Sequence, residues 1–418
     1  MYKNSKPLLT KKIPVIFNKD QDGKIFPDGY KNDVRWWGNI SKKELHSCLP
    51  DGTAKMLTMD IDIGNSCSLN CPHCFRRDPR FDIVGEKSLT HEEIVFYVKG
   101  AKKLGLNQIK ILGRGEPFQN PRFLEFLTEM TNLNIGVSVF TKGHVLGSDD
   151  LAKMYNYERY GITTGWELTK EIAKLKVSIL LGFNSFDRKT QERFTGVDKY
   201  PVYSPLKNYV EFRDKALINL VKAGFNKYKR GMATRLAIMA APIKPENVDE
   251  IFGLYIWARL RNIYMVSCPT TISGKGLDEF EREKNFSDYI PRLIKLYSKI
   301  YIWAIGTNLI PLEKFKRDRV SLYPGCHICN QIAAGFFLNL SGQVNQCPGL
   351  VDKTTIFTED IKKEKSLKGV WKSSVNYQRA KNTKDFNYHC VARDGKSLPV
   401  DFYTRIEKKV LQHFRNLS

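Results

Sequence analysis

The stretch Met56-Leu-Thr-Met-Asp-Ile-Asp-Ile63, followed by Cys67-Ser-Leu-Asn-Cys71-Pro-His-Cys74-Phe75, sets the class of this 418-residue chain. Residues 56–63 alternate as a strand does, with Thr58, Asp60 and Asp62 on one face and Met59, Ile61 and Ile63 on the other. Three cysteines at the spacing C-x3-C-x2-C then fall on the loop that leaves the strand. Three thiolates on one short loop can hold three irons of a [4Fe-4S] cube, leaving the fourth iron open to a substrate or cofactor. A zinc site would want a fourth ligand close by, for which His73 is available, but three-then-two is not the usual zinc spacing. A disulfide suits three crowded thiols less well.

Working outward, the pattern becomes one of alternating strands and helices. A capping box, Thr90-x-x-Glu93, opens a helix with the apolar face Ile94, Val95, Val98 and Ala101 that stops at Gly105. A strand at 108–112 ends in Gly113-Arg-Gly-Glu-Pro117. A helix at about 121–131 and a strand at 135–140 follow. Ser148 is a possible N-cap, and Thr164-x-x-Glu167 opens another helix. Strands at 176–181, 233–240 and 263–267 alternate with helices at about 206–223 and 245–261. Six strand–helix units in some 210 residues predict a parallel α/β barrel or wound sheet. In such barrels function collects on the loops at the C-terminal ends of the strands. The three cysteines, Gly113 to Pro117, Asn184 and Ser185, and Cys268 all lie there. Both faces of a parallel sheet are buried. Asp60 and Asp62 are therefore either polar residues of a barrel lumen or strand ends turned to solvent.

The first 55 residues lack periodicity and read as an extension packed on the barrel. They carry Asp22-Gly23, Pro27-Asp28-Gly29, a tryptophan pair (Trp36, Trp37) suited to core packing or to lining a site, and an isolated Cys48. Residues 1–20 are basic without an apolar signal-type run, and no stretch approaches a membrane span. Nine cysteines in such a chain predict a cytoplasmic, reducing setting with no membrane association. The net charge of +23 can attract nucleic acid, phosphorylated substrates or an acidic electron donor.

The cysteine spacing resembles the radical S-adenosylmethionine (radical SAM) superfamily, whose pattern is C-x3-C-x-aromatic-C. His73 stands at the aromatic position. Gly113-Arg-Gly-Glu-Pro117 is similar to the family's Gly-Gly-Glu-Pro motif. The resemblance implies a partial (β/α)6 TIM-like barrel. It also implies a [4Fe-4S] cluster on Cys67, Cys71 and Cys74 whose open iron binds SAM through its amino and carboxylate groups. Reduction then cleaves SAM to methionine and a 5′-deoxyadenosyl radical that abstracts hydrogen from a substrate. The candidate SAM-binding residues are Phe75, Gly113, Gly115, Glu116, Asn184, Ser185, Arg193 and Arg235. Glycines let the backbone approach SAM, Glu116 suits its ammonium, and the two arginines suit its carboxylate. Cys268 is the candidate catalytic thiol, able to hand on a hydrogen atom or touch substrate; an inert buried cysteine is the alternative.

A second cysteine group, Cys326-x2-Cys329, Cys347 and Cys390, flanks a predicted hairpin over 335–345 with a Ser-Gly turn. Zinc ribbons hold metal this way too. The run from Cys329 through Gly342 to Cys347 resembles the auxiliary-cluster domains of radical SAM enzymes, the SPASM and shorter twitch forms. With four cysteines, a single auxiliary [4Fe-4S] cluster fits. The order also resembles the molybdopterin-pathway cyclase, whose three ligands leave an iron free for substrate. If Cys390, preceded by His389, ligates, the cluster is closed and serves electron transfer; the expectation is that it does. The predicted domains are an extension over 1–55, the barrel over 56–305, an auxiliary-cluster domain of hairpin and helix over 306–395, and a C-terminal helix within 396–418. The basic tail could dock a flavodoxin or ferredoxin. The expected reaction is peptide oxidation or crosslinking, or small-molecule maturation. Modification of RNA or nucleotides is the alternative. A non-catalytic metal-cluster protein that binds nucleic acid is the reading from another class.

Overall fold

The computed structural model describes residues 3–19, 42–77, 88–228, 233–326, 329–349, 355–382, 390 and 392–416. Trp36, Trp37 and His389 lie outside them. Nine strands form one sheet: β1 (Thr58–Ile61), β2 (Gln108–Ile111), β3 (Gly136–Thr141), β4 (Val177–Gly182), β5 (Leu236–Ile243), β6 (Tyr264–Pro269), β7 (Gly335–Leu338), β8 (Val344–Asn345) and β9 (Ile356–Thr358). Their order is β6-β5-β4-β3-β2-β1-β7-β8-β9. The first six are parallel, each joined to the next through helices, which is the predicted partial (β/α)6 barrel, with the sheet left open. Each of the six is largely buried, as helices covering a parallel sheet require.

The local signals act where they stand. Thr90 and Thr164 each form a complete capping box, and Ser148 caps the helix Asp149–Tyr160. Strand one is shorter than the alternation suggests, running from Thr58 to Ile61. The helix expected over 206–223 begins as a 3-10 turn, Pro205–Asn208, with proline at its first position, and becomes α-helical at Tyr209. The amino-terminal helix Lys6–Lys12 packs on the barrel through Leu9, while Ser5 accepts from the buried Arg213 guanidinium at 2.8 Å.

The hairpin is placed differently from a separate layer. β7 pairs in parallel with β1, from Thr58 opposite Gly335 to Ile61 opposite Leu338. The hairpin β7–β8 therefore extends the barrel sheet past β1, and brings the second cysteine group beside the first. The C-terminal helix Phe402–Arg415 packs on the helix Tyr289–Gly306, with Phe402 edge-on to Tyr297 at 5.2 Å.

Candidate functional site

The loop that carries Cys67, Cys71 and Cys74 is held from many sides. Arg77 donates to the carbonyls of Cys67 (2.9 Å) and Leu69 (3.3 Å), Tyr200 donates to Ser68 O (2.6 Å), and Lys275 Nζ donates to Asn70 Oδ1 (2.6 Å). Gln119 accepts from the amide of Ser68 (3.0 Å), and the Ser68 hydroxyl lies 3.2 Å from His144 Nε2. Burial pushes His144 down to about 3, so it stays a neutral partner. Two glycines permit this packing. A Cβ on Gly115 would stand 2.7 Å from Ser66 O, and one on Gly196 only 2.3 Å from Asn70 O. The Gly-x-Gly-Glu-Pro turn thus nests directly against the cysteine loop.

Gly196 also has a φ of +76°, so it is doubly constrained. Gly196→Ala is expected to cost about 1–2 kcal/mol for its left-handed backbone alone and to push the 67–71 segment out of place. Iron retained per chain after desalting, with the melting temperature beside it, checks this.

One cavity of about 390 Å³ lies at the mouth of the barrel. It is lined by Cys71, Cys74, Phe75 and Gly113 on one side and by Cys329, Cys347 and Cys390 on the other, with Cys268 at the end of β6 between them. Cys67, half-buried, adjoins Cys71. Burial pushes the Cys67 thiol up to about 12 and raises Cys71, Cys329 and Cys347 as well. Such thiols stay protonated until a metal displaces the proton.

The donor set suits a cluster better than a single ion. Tetrahedral zinc–thiolate sites hold their sulfurs about 3.8 Å apart. Among the described residues, no three cysteine sulfurs come within 4.8 Å of one another, and His73 joins no ligand group. His73 instead packs on Phe194 at 5.4 Å between centroids. Thiols spread over several separate segments around one cavity fit iron–sulfur cubes, whose ligands stand farther apart.

Fixed charges form the floor. Lys110, almost fully buried, pairs with Asp60 at 3.1 Å and donates to Gln331. Burial nonetheless pushes Asp60 up to about 6. Arg76 pairs with Asp62 at 2.7 Å, lies 4.3 Å from the Phe337 ring centroid, and reaches Pro348 O at 3.4 Å. This one side chain ties the first cysteine loop to the hairpin and to the segment of Cys347. Asp60 and Asp62 are thus lumen residues, and the solvent-facing alternative is excluded.

Glu116 is buried. Its carboxylate accepts from the Thr141 hydroxyl (2.5 Å) and the Lys142 amide (2.9 Å), yet burial pushes it up to about 7. Lys142 lines the cavity with no ion-pair partner among the described residues.

Not every candidate reaches the site. Arg235 stands just ahead of β5, at the end of the barrel away from the mouth. Its guanidinium donates to the carbonyls of Val177, Ala173 and Leu175 at 2.8–3.0 Å. Arg193 is exposed on the helix Arg188–Thr195. In that segment Phe194 and Gly196 do the work, by packing on the cysteine loop. Ser185 donates to Glu250 instead of facing the cavity, and Asn184 donates to Ala241 O at 3.0 Å while its buried Oδ1 has no partner among the described residues. Cys326 donates to Met265 O at 2.9 Å and does not line the cavity.

Arg235→Ala should therefore cost about 3 kcal/mol of stability, while Arg193→Ala should stay within about 0.5 kcal/mol. Both variants, once folded, should cleave SAM within about twofold of the parent. Thermal melts paired with 5′-deoxyadenosine rates separate the two effects.

Residues 61–255 match the model of the Radical SAM superfamily. The chain is similar to the probable GTP 3′,8-cyclases of Pyrococcus abyssi (25% identical over 139 residues) and Thermococcus kodakarensis (28% over 139 residues). Each match covers 33% of this chain and 38% of the relative, so it spans well under half the length of these curated proteins. Among solved structures, native anSMEcpe with bound AdoMet superposes with a TM-score of 0.54 at 13% identity, covering 86% of this chain and 98% of that one. Streptococcus suis SuiB bound to precursor peptide SuiA gives 0.48 at 16% identity, covering 84% and 71%. The first likeness establishes the fold. The segment that matches the superfamily model, residues 61–255, lies within the six parallel strands of the TIM-like partial barrel.

Proposed function

From the radical SAM domain, we propose that this protein is an enzyme that couples SAM cleavage at Cys67, Cys71 and Cys74 to hydrogen abstraction from a small molecule, with an auxiliary [4Fe-4S] cluster across the same cavity. The observation that carries the reading is that single cavity, walled by both cysteine groups. Its volume of about 390 Å³ lies in the range of small-molecule sites. Cys67, Cys71 and Cys74 would hold a [4Fe-4S] cluster, which when bound would supply the electron for reductive cleavage of SAM.

The protein's residues do the rest. Glu116 receives the SAM ammonium: a carboxylate has about four acceptor sites, and Thr141 and Lys142 fill two. An adjacent ammonium restores the ionised form that burial disfavours. Lys142, with no ion-pair partner among the described residues, offers its side-chain nitrogen to the SAM carboxylate beside Cys71. The Asp60–Lys110 and Asp62–Arg76 pairs hold fixed dipoles under the substrate. Residues 319–323 and the C-terminal helix, through Tyr403, Thr404 and Glu407, roof the cavity and exclude water from radical chemistry. The +23 charge suits an acidic electron donor such as flavodoxin or ferredoxin.

The likeness to GTP 3′,8-cyclases favours a nucleotide as the small molecule. Incubating reconstituted protein with SAM, reductant and each nucleoside triphosphate tests this. Substrate-dependent consumption of one nucleotide supports the assignment. Abundant 5′-deoxyadenosine with every nucleotide intact would refute the nucleotide and leave the radical chemistry standing.

A further inference from the structure

Spacing alone groups Cys326, Cys329, Cys347 and Cys390 as the second set of ligands. The geometry points to a different fourth thiol. We propose that Cys268, not Cys326, completes the auxiliary cluster with Cys329, Cys347 and Cys390, and that Arg393 is the positioning residue that holds Cys268 and Cys390 toward it. This rests on the proposed auxiliary cluster.

Three observations carry it. The first is location. Cys268 ends β6, is 2% exposed, and faces the same cavity as Cys329, Cys347 and Cys390. The loops bearing them converge at Gly349, where a Cβ would lie 3.3 Å from Thr271, 3.5 Å from Ala392 and 3.9 Å from the Cys347 sulfur. The second is the occupation of Cys326. Its thiol donates to Met265 O at 2.9 Å. Met265 belongs to β6, the edge strand, whose other side pairs with β5. Cys326 therefore satisfies a carbonyl on the open edge of the sheet, outside the cavity wall.

The third is a buried charge. Arg393 is 6% exposed. Nε donates to Pro269 O (3.0 Å), Nη1 to Cys390 Sγ (3.5 Å), and Nη2 to Cys268 Sγ (3.3 Å) and to Thr271 Oγ1. No carboxylate pairs with it among the described residues. A buried guanidinium is costly without an anion, and two sulfurs holding a cluster would supply one. N–H···S hydrogen bonds from a cation also raise the reduction potential of a cluster, so Arg393 sets the potential as well as the placement.

The test isolates the second cluster in full-length protein carrying Cys67→Ala, Cys71→Ala and Cys74→Ala. Iron, sulfide and the electron paramagnetic resonance spectrum are measured after anaerobic reconstitution, with circular dichroism confirming the fold. The parent should hold about four irons per chain. Adding Cys326→Ala should leave iron and spectrum unchanged. Adding Cys268→Ala should remove the cluster or leave a three-iron form. Adding Arg393→Lys, which keeps charge but not the paired geometry, should keep iron and shift the potential negative. Loss of iron on Cys326→Ala, or full retention on Cys268→Ala, would overturn the assignment. A parent that binds no iron would instead remove the auxiliary cluster itself, and the inference with it.

Discussion

Replacing Cys67, Cys71 and Cys74 together by alanine is expected to lower reconstituted iron from about eight to about four per chain and to abolish 5′-deoxyadenosine formation. The fold should survive. The loop is held by Arg77, Tyr200, Lys275, Gln119 and the glycine approaches at 115 and 196, none of which involves a cysteine sulfur. In the metal-free protein the Cys67 and Cys71 thiols are protonated by burial, so their removal costs packing and no charge. The same experiment separates the two cysteine groups, because the second lies on loops that the substitutions do not touch. Iron and sulfide assays with chromatographic detection of 5′-deoxyadenosine supply the readouts. Residual SAM cleavage in the triple variant would place the chemistry elsewhere.

Glu116→Gln should raise stability while removing function. Burial lifts the Glu116 carboxyl from 4.5 to about 7. The native state thus binds more protons than the unfolded state between those values, and stability falls as pH rises through that window. The shift corresponds to about 3 kcal/mol at pH 8, lost when the carboxylate is ionised without its ammonium partner. Glutamine carries no charge to desolvate. Its amide can still accept from the Lys142 N–H and donate to the Thr141 hydroxyl. The SAM-free variant should therefore melt higher than the parent at pH 8 and show a shallower fall between pH 5 and pH 8. Some slope should remain, because burial lifts Asp60 to about 6 and Glu283 to about 7 in the same sense. SAM cleavage should drop roughly 100-fold, as breaking a buried charge pair implies. A variant that melts lower at pH 8, or that retains SAM turnover, would mean that Glu116 serves the fold and not the cofactor.

Much of the barrel was readable because its signals are local. Thr90, Ser148 and Thr164 cap the helices they stand before, and Gly115 of the 113–117 turn sits where the backbone crowds the cysteine loop. The pairing of β7 with β1 was not readable. It joins Gly335 to Thr58, and a parallel register between such distant segments leaves no periodic mark. That pairing is what makes one cavity of two cysteine groups. Arg193 and Arg235 show the complementary limit. Being near a motif does not decide which end of a strand or which face of a helix a side chain occupies, and neither lines the cavity. The cations that do matter had a weak signature: Arg76 follows Cys74 by two residues, Lys142 follows β3 directly, and Arg393 lies three residues beyond Cys390. Each gains its meaning from partners far off in sequence.

The most direct test of the account is anaerobic reconstitution of the full chain with iron and sulfide, followed by metal analysis and incubation with SAM and dithionite. About eight irons per chain, no zinc, and reductant-dependent formation of 5′-deoxyadenosine are the predicted result. Stoichiometric zinc with SAM left intact would contradict it, and would return both cysteine groups to a structural role.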